Sequence, residues 1–333
     1  MCTRIFMNMY PKYMVSARTL DFFGPVDPAL IITPRGVARH GGHAKNAAQW
    51  KTQYGSVVIY ANGIFPMDGM NEKGLAAHTL FYMNGKQEQQ DNQDKPVIES
   101  RAWVSYILDN YTSVTQVVSA IRQDVRLVAV HLPIDYASDT KHIAIEDLSG
   151  DSAIIEIDDG KVNIYHDQNY RVMTNPPSYD QQLKNLSKFH HVKREELPGG
   201  LQADVRLVRA SYYLKHIPQP DNKNQAEGFI LSVINNVSYP IGSPAEIEEQ
   251  HVTDMYIKYS QRPEQNKGVG TYWMTISDLS HGEYHFKSTF AASQVWVSLH
   301  EIDFSQTQPV RKITHLNDYA QAGWEGNILA HAK

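Results

Sequence analysis

One residue constrains this chain more than any other. Its 333 residues contain a single cysteine, Cys2, directly after Met1. One cysteine cannot close an internal disulfide, nor can it build a multi-cysteine zinc or iron–sulfur centre. A disulfide-stapled secreted scaffold is therefore excluded. The position also carries a chemical opportunity. If Met1 is removed, the thiol and a free α-amino group belong to one residue. Their reference pKa values, about 8.5 and 7.7–8.0, let the amine take the thiol proton near neutral pH without a separate histidine. An N-terminal amine is a known activator of such nucleophiles. The bland reading is an arbitrary small residue at position 2.

Composition narrows the partners. Lys and Arg number 31 against 36 Asp and Glu, a net charge of −5, so there is no basic excess for nucleic acid. No apolar run approaches the ~18 residues of a membrane span. A 42% hydrophobic, 20% charged composition is that of a globular chain able to bury a sizeable core. No charged-then-apolar leader precedes Cys2. The chain as written is thus expected in the cytoplasm, or in the periplasm if a signal peptide has been trimmed.

The hydrophobic pattern predicts strands at Thr3–Met9, Tyr13–Leu20, Ala29–Thr33, Ser56–Tyr60 and Leu75–Tyr82, with a loop over Arg35–Trp50. Helices follow at Val97–Tyr111 and Val114–Arg122. Strands return at Leu127–Leu132, His142–Leu148, Ala153–Ile157 and Lys161–Tyr165. Helices are expected at Tyr179–Phe189, Asp204–His216 and Gln225–Val237. Strands close the chain at Met255–Tyr259, Gly270–Asp278, Glu283–Thr289 and Val295–His300. Asp221–Gln225 and Gln261–Lys267 read as surface loops. This order is not the βαβ alternation of a doubly wound sheet. It suits stacked antiparallel sheets covered by helices. With no linker or repeat in sight, one catalytic domain over 2–333 is expected.

Several chemistries find no support. There is no P-loop, no GxGxxG opening a helix, no HExxH and no GxSxG. The close histidine pairs do not make a metal site either. His40 and His43 flank Gly41-Gly42, His281 and His285 straddle a turn, and His190-His191 end a helix beside Lys193-Arg194. No metal and no cofactor are expected.

The opening MCTRIF and the segment ARTLDFF (Ala17–Phe23) resemble the start of the choloylglycine hydrolase family. That family includes bile salt hydrolases and penicillin V acylases, all N-terminal nucleophile hydrolases. The likeness continues through TPRG (Thr33–Gly36), GMNEKGLAAHTLFY (Gly69–Tyr82), VMTNPPSYDQQL (Val172–Leu183), LPGGLQADVRLVRASYY (Leu197–Tyr213) and TYWMTISDLSHGEYHFKST (Thr271–Thr289), in the family's order. It implies an α+β, four-layer αββα sandwich and hydrolysis of a linear amide in a small molecule. It also implies a homotetramer.

The resemblance assigns roles residue by residue. Cys2 matches the nucleophile. Arg18 is implied to face the thiol and favour its thiolate, and Asp21 to position the α-amino group. Asn175 matches the side-chain oxyanion donor and Arg206 the second arginine of the site. The backbone N–H of Phe81 matches the other oxyanion donor. Phe81 stands where bile salt hydrolases usually have Asn and Gram-positive penicillin V acylases Tyr. With Phe22 and Tyr82 it is expected to line the substrate pocket. GLAAHTLFY looks most like the Gram-negative branch, whose members hydrolyse penicillin V or N-acyl homoserine lactones. Conjugated bile salts are the alternative substrate, and a non-catalytic binding homologue is the alternative class.

Overall fold

The computed structural model describes residues 1–333 except 25, 83–88, 132–137, 140 and 245–267. Most of the strand-forming sequence goes into two large sheets. In chain order their strands begin with β1 (Arg4–Met7), β2 (Val15–Phe22), β3 (Pro28–Thr33), β4 (Ser56–Ala61) and β5 (Phe65–Asn71). Then come β6 (Ala76–Phe81), β7 (Lys141–Glu146), β8 (Ser152–Asp158), β9 (Lys161–His166) and β10 (Val172–Met173). The last five are β11 (Gly268–Asp278), β12 (Glu283–Ser288), β13 (Val295–Ser298), β14 (Arg311–Ile313) and β15 (Gly326–Asn327).

The first sheet has the order β10-β1-β2-β11-β12-β13-β15, antiparallel except for the β13–β15 pair, with Ser243–Pro244 added beside β11. The second is antiparallel throughout, in the order β9-β8-β7-β6-β5-β4-β3-β14. Helices α1 (Trp103–Asn110) and α2 (Val114–Gln123) pack on the second sheet. Helices α3 (Tyr179–Leu186), α4 (Ala203–Lys215) and α5 (Lys223–Asn236) form the layer over the first sheet, α4 and α5 resting on β1 and β2. The result is helix, sheet, sheet, helix: the αββα sandwich.

Strand alternation explains the layering, because successive side chains point to opposite faces. On the second sheet, Ala77, Ile143, Ile145, Ala153, Ile155 and Ile157 face α1 and α2. Their neighbours Ala76, Leu80, Ala144 and Ile154 belong to the main core. Ser113 caps α2, its Oγ accepting from the Gln116 N–H.

Some elements differ from the sequence pattern, for local reasons. Strand β5 is absent from the expected set because Pro66, Asp68 and Gly69 are poor strand formers. Gly69 is needed there, since a Cβ would sit 2.2 Å from the Val57 carbonyl oxygen of β4. The expected loop Arg35–Trp50 contains a short hairpin, Ala38–His40 with Gln49–Lys51. The expected helix Val97–Tyr111 starts as a strand, Val97–Glu99, and turns helical at Trp103 after a single 3-10 turn. Asp221–Gln225 holds the start of α5, capped by Asn222. Met255–Tyr259 and Gln261–Lys267 lie outside the described residues.

Candidate active site

Cys2 extends β1 by two residues and lies beside β2. It is 3% exposed. Arg18 and Asp21 are three apart on β2, so the strand period sends them to opposite faces. Arg18 points between the sheets, where its Nη2 donates to Cys2 Sγ (3.6 Å) and to the Thr79 carbonyl oxygen (3.2 Å). Asp21 faces α4. Its carboxylate accepts from Thr19 Oγ1 (3.1 Å) and Thr271 Oγ1 (2.6 Å) and lies 3.9 Å from Arg206 Nη1. The β2–β11 register shifts between Thr271 and Trp273, and that bulge sets Thr271 opposite Asp21.

Asn175 and Arg206 close on Cys2 from the helical side. The Cys2 N–H donates to Asn175 Oδ1 (2.7 Å). Asn175 Nδ2 donates to the Phe81 carbonyl oxygen (2.7 Å). Its second N–H has no partner among the described residues. Arg206, fully buried on α4, donates to the Cys2 carbonyl oxygen (2.7 Å), Thr3 Oγ1 (2.6 Å), Asn175 Oδ1 (2.8 Å) and the Leu201 carbonyl oxygen (2.8 Å). Arg18, Asn175 and Arg206 thereby meet at Cys2, and Asp21 lies beside Arg206.

Met1 precedes the nucleophile. Its ammonium donates to the Asp21 carbonyl oxygen (2.7 Å) and its sulfur accepts from Tyr239 (3.3 Å). While Met1 is attached, the Cys2 nitrogen is an amide and its N–H points to Asn175, not to the Asp21 carboxylate. Phe22 is half-buried and joins Met1 in the small apolar cluster of Phe23, Tyr239 and Val269. Phe81 is 37% exposed.

Tyr82, expected to line the pocket, is as buried as Cys2 and Asn175. It has no exposed surface, its ring stacks on His142 at 4.7 Å, and its hydroxyl donates to Asp158. It backs His142, which bridges the Thr174 carbonyl oxygen (2.9 Å) and Glu156 (3.0 Å), and so braces the segment that carries Asn175.

The sequence reading missed a buried polar chain behind Arg18. Arg4 pairs directly with Arg18 across β1 and β2, so two guanidiniums share one face. Each has its own carboxylate: Asp68 Oδ2 lies 3.5 Å from Arg18 Nε, and Glu146 bonds Arg4 through two guanidinium nitrogens. His78 stands between the two acids, 2.7 Å from Glu146 and 3.9 Å from Asp68. Thr275 (2.8 Å) and Tyr284 donate to Asp68. Burial pushes the Glu146 carboxyl up, but Arg4 and His78 outweigh it and hold the group at about 2. Burial and the Asp68 carboxylate drive the Tyr284 hydroxyl well above its usual value. His78 belongs to the GLAAHTLFY block and Asp68 directly precedes the Gly69–Tyr82 motif. Position beside a motif is the only sequence signal for Asp68.

The chain is similar to known proteins over most of its length. The model of the family of linear amide C–N hydrolases, choloylglycine hydrolase family, matches residues 2–312. The chain is 33% identical to a penicillin V acylase of Pectobacterium atrosepticum, over 91% of this chain and 82% of that protein. It is 23% identical to a bile salt hydrolase/transferase of Clostridium perfringens, over 89% of this chain and 100% of that one. Among solved structures, penicillin V acylase from Agrobacterium tumefaciens superposes with a TM-score of 0.83 at 30% identity, covering 100% of this chain and 97% of that one. No helix among the described residues is long and apolar enough to cross a membrane.

Proposed function

Because the chain belongs to the choloylglycine hydrolase family of linear amide C–N hydrolases, we propose that it cleaves its amide through Cys2, by way of an acyl-thioester. The observation that carries this reading is the convergence of Arg18, Asn175 and Arg206 on Cys2.

Once Met1 is gone, the α-amine of Cys2 takes the thiol proton. The thiolate, next to the Arg18 guanidinium, attacks the amide carbonyl carbon. The carbonyl oxygen becomes an oxyanion, received by the second N–H of Asn175 Nδ2 and the backbone N–H of Phe81. Collapse of the tetrahedral species breaks the C–N bond, and the leaving nitrogen takes the proton back from the α-ammonium. Water then adds to the thioester carbonyl, giving its proton to the α-amine. A carboxylic acid and the free thiol leave this second step. In this reading Asp21, pinned by Thr19 and Thr271, holds the freed ammonium. Arg206 fixes the Cys2 carbonyl and the Asn175 amide.

For substrate, the reading favours amides with an aromatic or long apolar acyl group, of the penicillin V or N-acyl homoserine lactone kind. The half-buried Phe22 beside Met1 and the exposed Phe81 beside Asn175 support it. Conjugated bile salts are the second reading, supported by the bile salt hydrolase relatives. A homotetramer is the assembly to test by light scattering.

The experiment is amine release from penicillin V, glyco- and tauro-conjugated bile salts and acyl homoserine lactones, with Cys2→Ala beside it. Cysteine-dependent release from the first or third class supports the reading. Release from bile salts alone moves it to the second. No cysteine-dependent release from any, by protein lacking Met1, overturns it.

A further inference from the structure

A second cluster of ionisable side chains lies on the helical face of the first sheet, under the first turns of α5. Glu283 and His285 are two apart on β12, so they share a strand face. Lys223 and Glu227 are four apart on α5, so they share a helix face. Packing brings the two pairs together. Glu227 Oε1 and Glu283 Oε2 each lie 3.3 Å from His285 Nε2. One donor atom from each of the three residues falls within 4.8 Å of the others.

Two of those atoms are poorly satisfied. His285 is 2% exposed, and among the described residues neither its Nε2 nor Glu227 Oε1 has a partner with hydrogen-bond geometry. The oxygens are close to the nitrogen but off its bonding direction. Buried polar atoms left so are costly, and a cation between them removes the cost. The other ring nitrogen, Nδ1, is held by the Gln294 side-chain amide at 2.8 Å. Gln294 presents its Nε2 there, and a half-turn of that amide brings its oxygen to Nδ1, which then carries the proton and leaves Nε2 a lone pair, the arrangement that orients a metal-ligating histidine.

We propose that Glu227, Glu283 and His285 form a zinc-type divalent metal site that clamps α5 to β12. One imidazole and two carboxylates with a fourth position open to water suit that ion. Histidine spacing alone could not find it. The sequence neighbour of His285 is His281, and that ring bonds Asp278 instead (2.8 Å). Lys223 is the competitor. Its Nζ donates to both oxygens of Glu283 (2.8 and 2.7 Å), yet the side chain is 32% exposed and has room to turn out to water.

The test uses full-length Cys2→Ala protein, so that the thiolate cannot capture zinc. It is stripped with a chelator, titrated calorimetrically with zinc chloride and melted with and without the ion. One bound equivalent and a rise in Tm of about 2 °C or more are expected. Both are expected to vanish in Glu227→Gln and in His285→Asn, and Lys223→Met to tighten binding several-fold. If either ligand variant fails to fold, the visible absorption of cobalt(II) in the Lys223→Met protein decides: bands of a low-symmetry site support the proposal, and octahedral hexaaqua-type bands overturn it. Unchanged zinc binding in the ligand variants, or no saturable binding by the Lys223→Met protein, also overturns it.

Discussion

The two faces of the second sheet do different work. The outer face, under α1 and α2, is hydrocarbon: Ile143, Ile145, Ile155 and Ile157 pack with Trp103, Leu108, Val117 and Ile121. The inner face carries Asp68, His78, His142, Glu146 and Glu156, all fully or almost fully buried, beside Met70, Ala144 and Ile154. Burying charge costs more than burying hydrocarbon yields, unless each charge finds a partner. Here the partners come from the facing sheet and from the Asn175 segment. Asp68 meets Arg18, Glu146 meets Arg4, and His142 meets Thr174. One face therefore supplies stability, while the other trades stability for the placement of groups around Cys2.

That division can be broken by paired substitutions. The largest effect is expected at Asn175→Ala. Loss of an oxyanion donor lowers kcat by roughly 10²–10³, and here the acceptor for the Cys2 nitrogen goes with it. Its counterpart, Ile145→Ala, costs about 2–5 kcal/mol of stability by opening a cavity, with kcat per folded molecule unchanged. Urea melts and kcat on the same preparations check both, and a lowered kcat in Ile145→Ala would break the division.

Next is Asp68→Ala, which leaves the Arg18 guanidinium buried without its carboxylate. About 3–5 kcal/mol is expected to go, together with activity. Asp68→Asn keeps an oxygen for Thr275 and Tyr284 and loses less stability. Denaturation of the two variants side by side measures the charge separately from the shape.

The faces also respond to pH with opposite signs. Glu146, held at about 2, lies below its unfolded value of about 4.5. Its contribution, on the order of 3 kcal/mol, is present above the unfolded pKa and lost as pH falls toward 2. Asp109 on α1 is raised by burial to about 6, despite Arg39 at 3.1 Å and Trp50 at 2.8 Å. A raised carboxylate is most favourable below its unfolded value of about 3.8 and loses that contribution as pH rises through 6. Asp109→Asn should therefore gain on the parent protein between pH 4 and 7, while Glu146→Gln falls further behind it between pH 3 and 7. Melts across that range check the signs. The smallest effect is Ser113→Ala, about 1 kcal/mol from a lost helix cap on the outer layer, with no change in turnover.

The same division explains what could be read without coordinates. Cys2, Arg18, Asp21, Asn175 and Arg206 could be named because each stands in a block that resembles the family, and the fold brings Arg18, Asn175 and Arg206 against Cys2. Short apolar runs such as Ala153–Ile157 were legible because both of their faces are buried and turn residues bound them. Asp68 was not, because it acquires meaning only when β5 is set opposite β2, some fifty residues earlier in the chain. Thr271 depends on a bulge, which has no reliable sequence signature. For Tyr82, an aromatic residue next to a motif does not say which side of the strand end it takes. In the fold it stacks on His142.

The central claim is that the freed α-amine of Cys2 activates its own thiol. The most direct measurement joins a cleavable segment ahead of Cys2 and follows amide hydrolysis before and after that segment is cut away, with intact mass as the monitor. The account predicts that hydrolysis appears in step with the mass of the chain beginning at Cys2 and stays absent in Cys2→Ala. Equal rates before and after cleavage, or equal rates with Cys2→Ala, would contradict it.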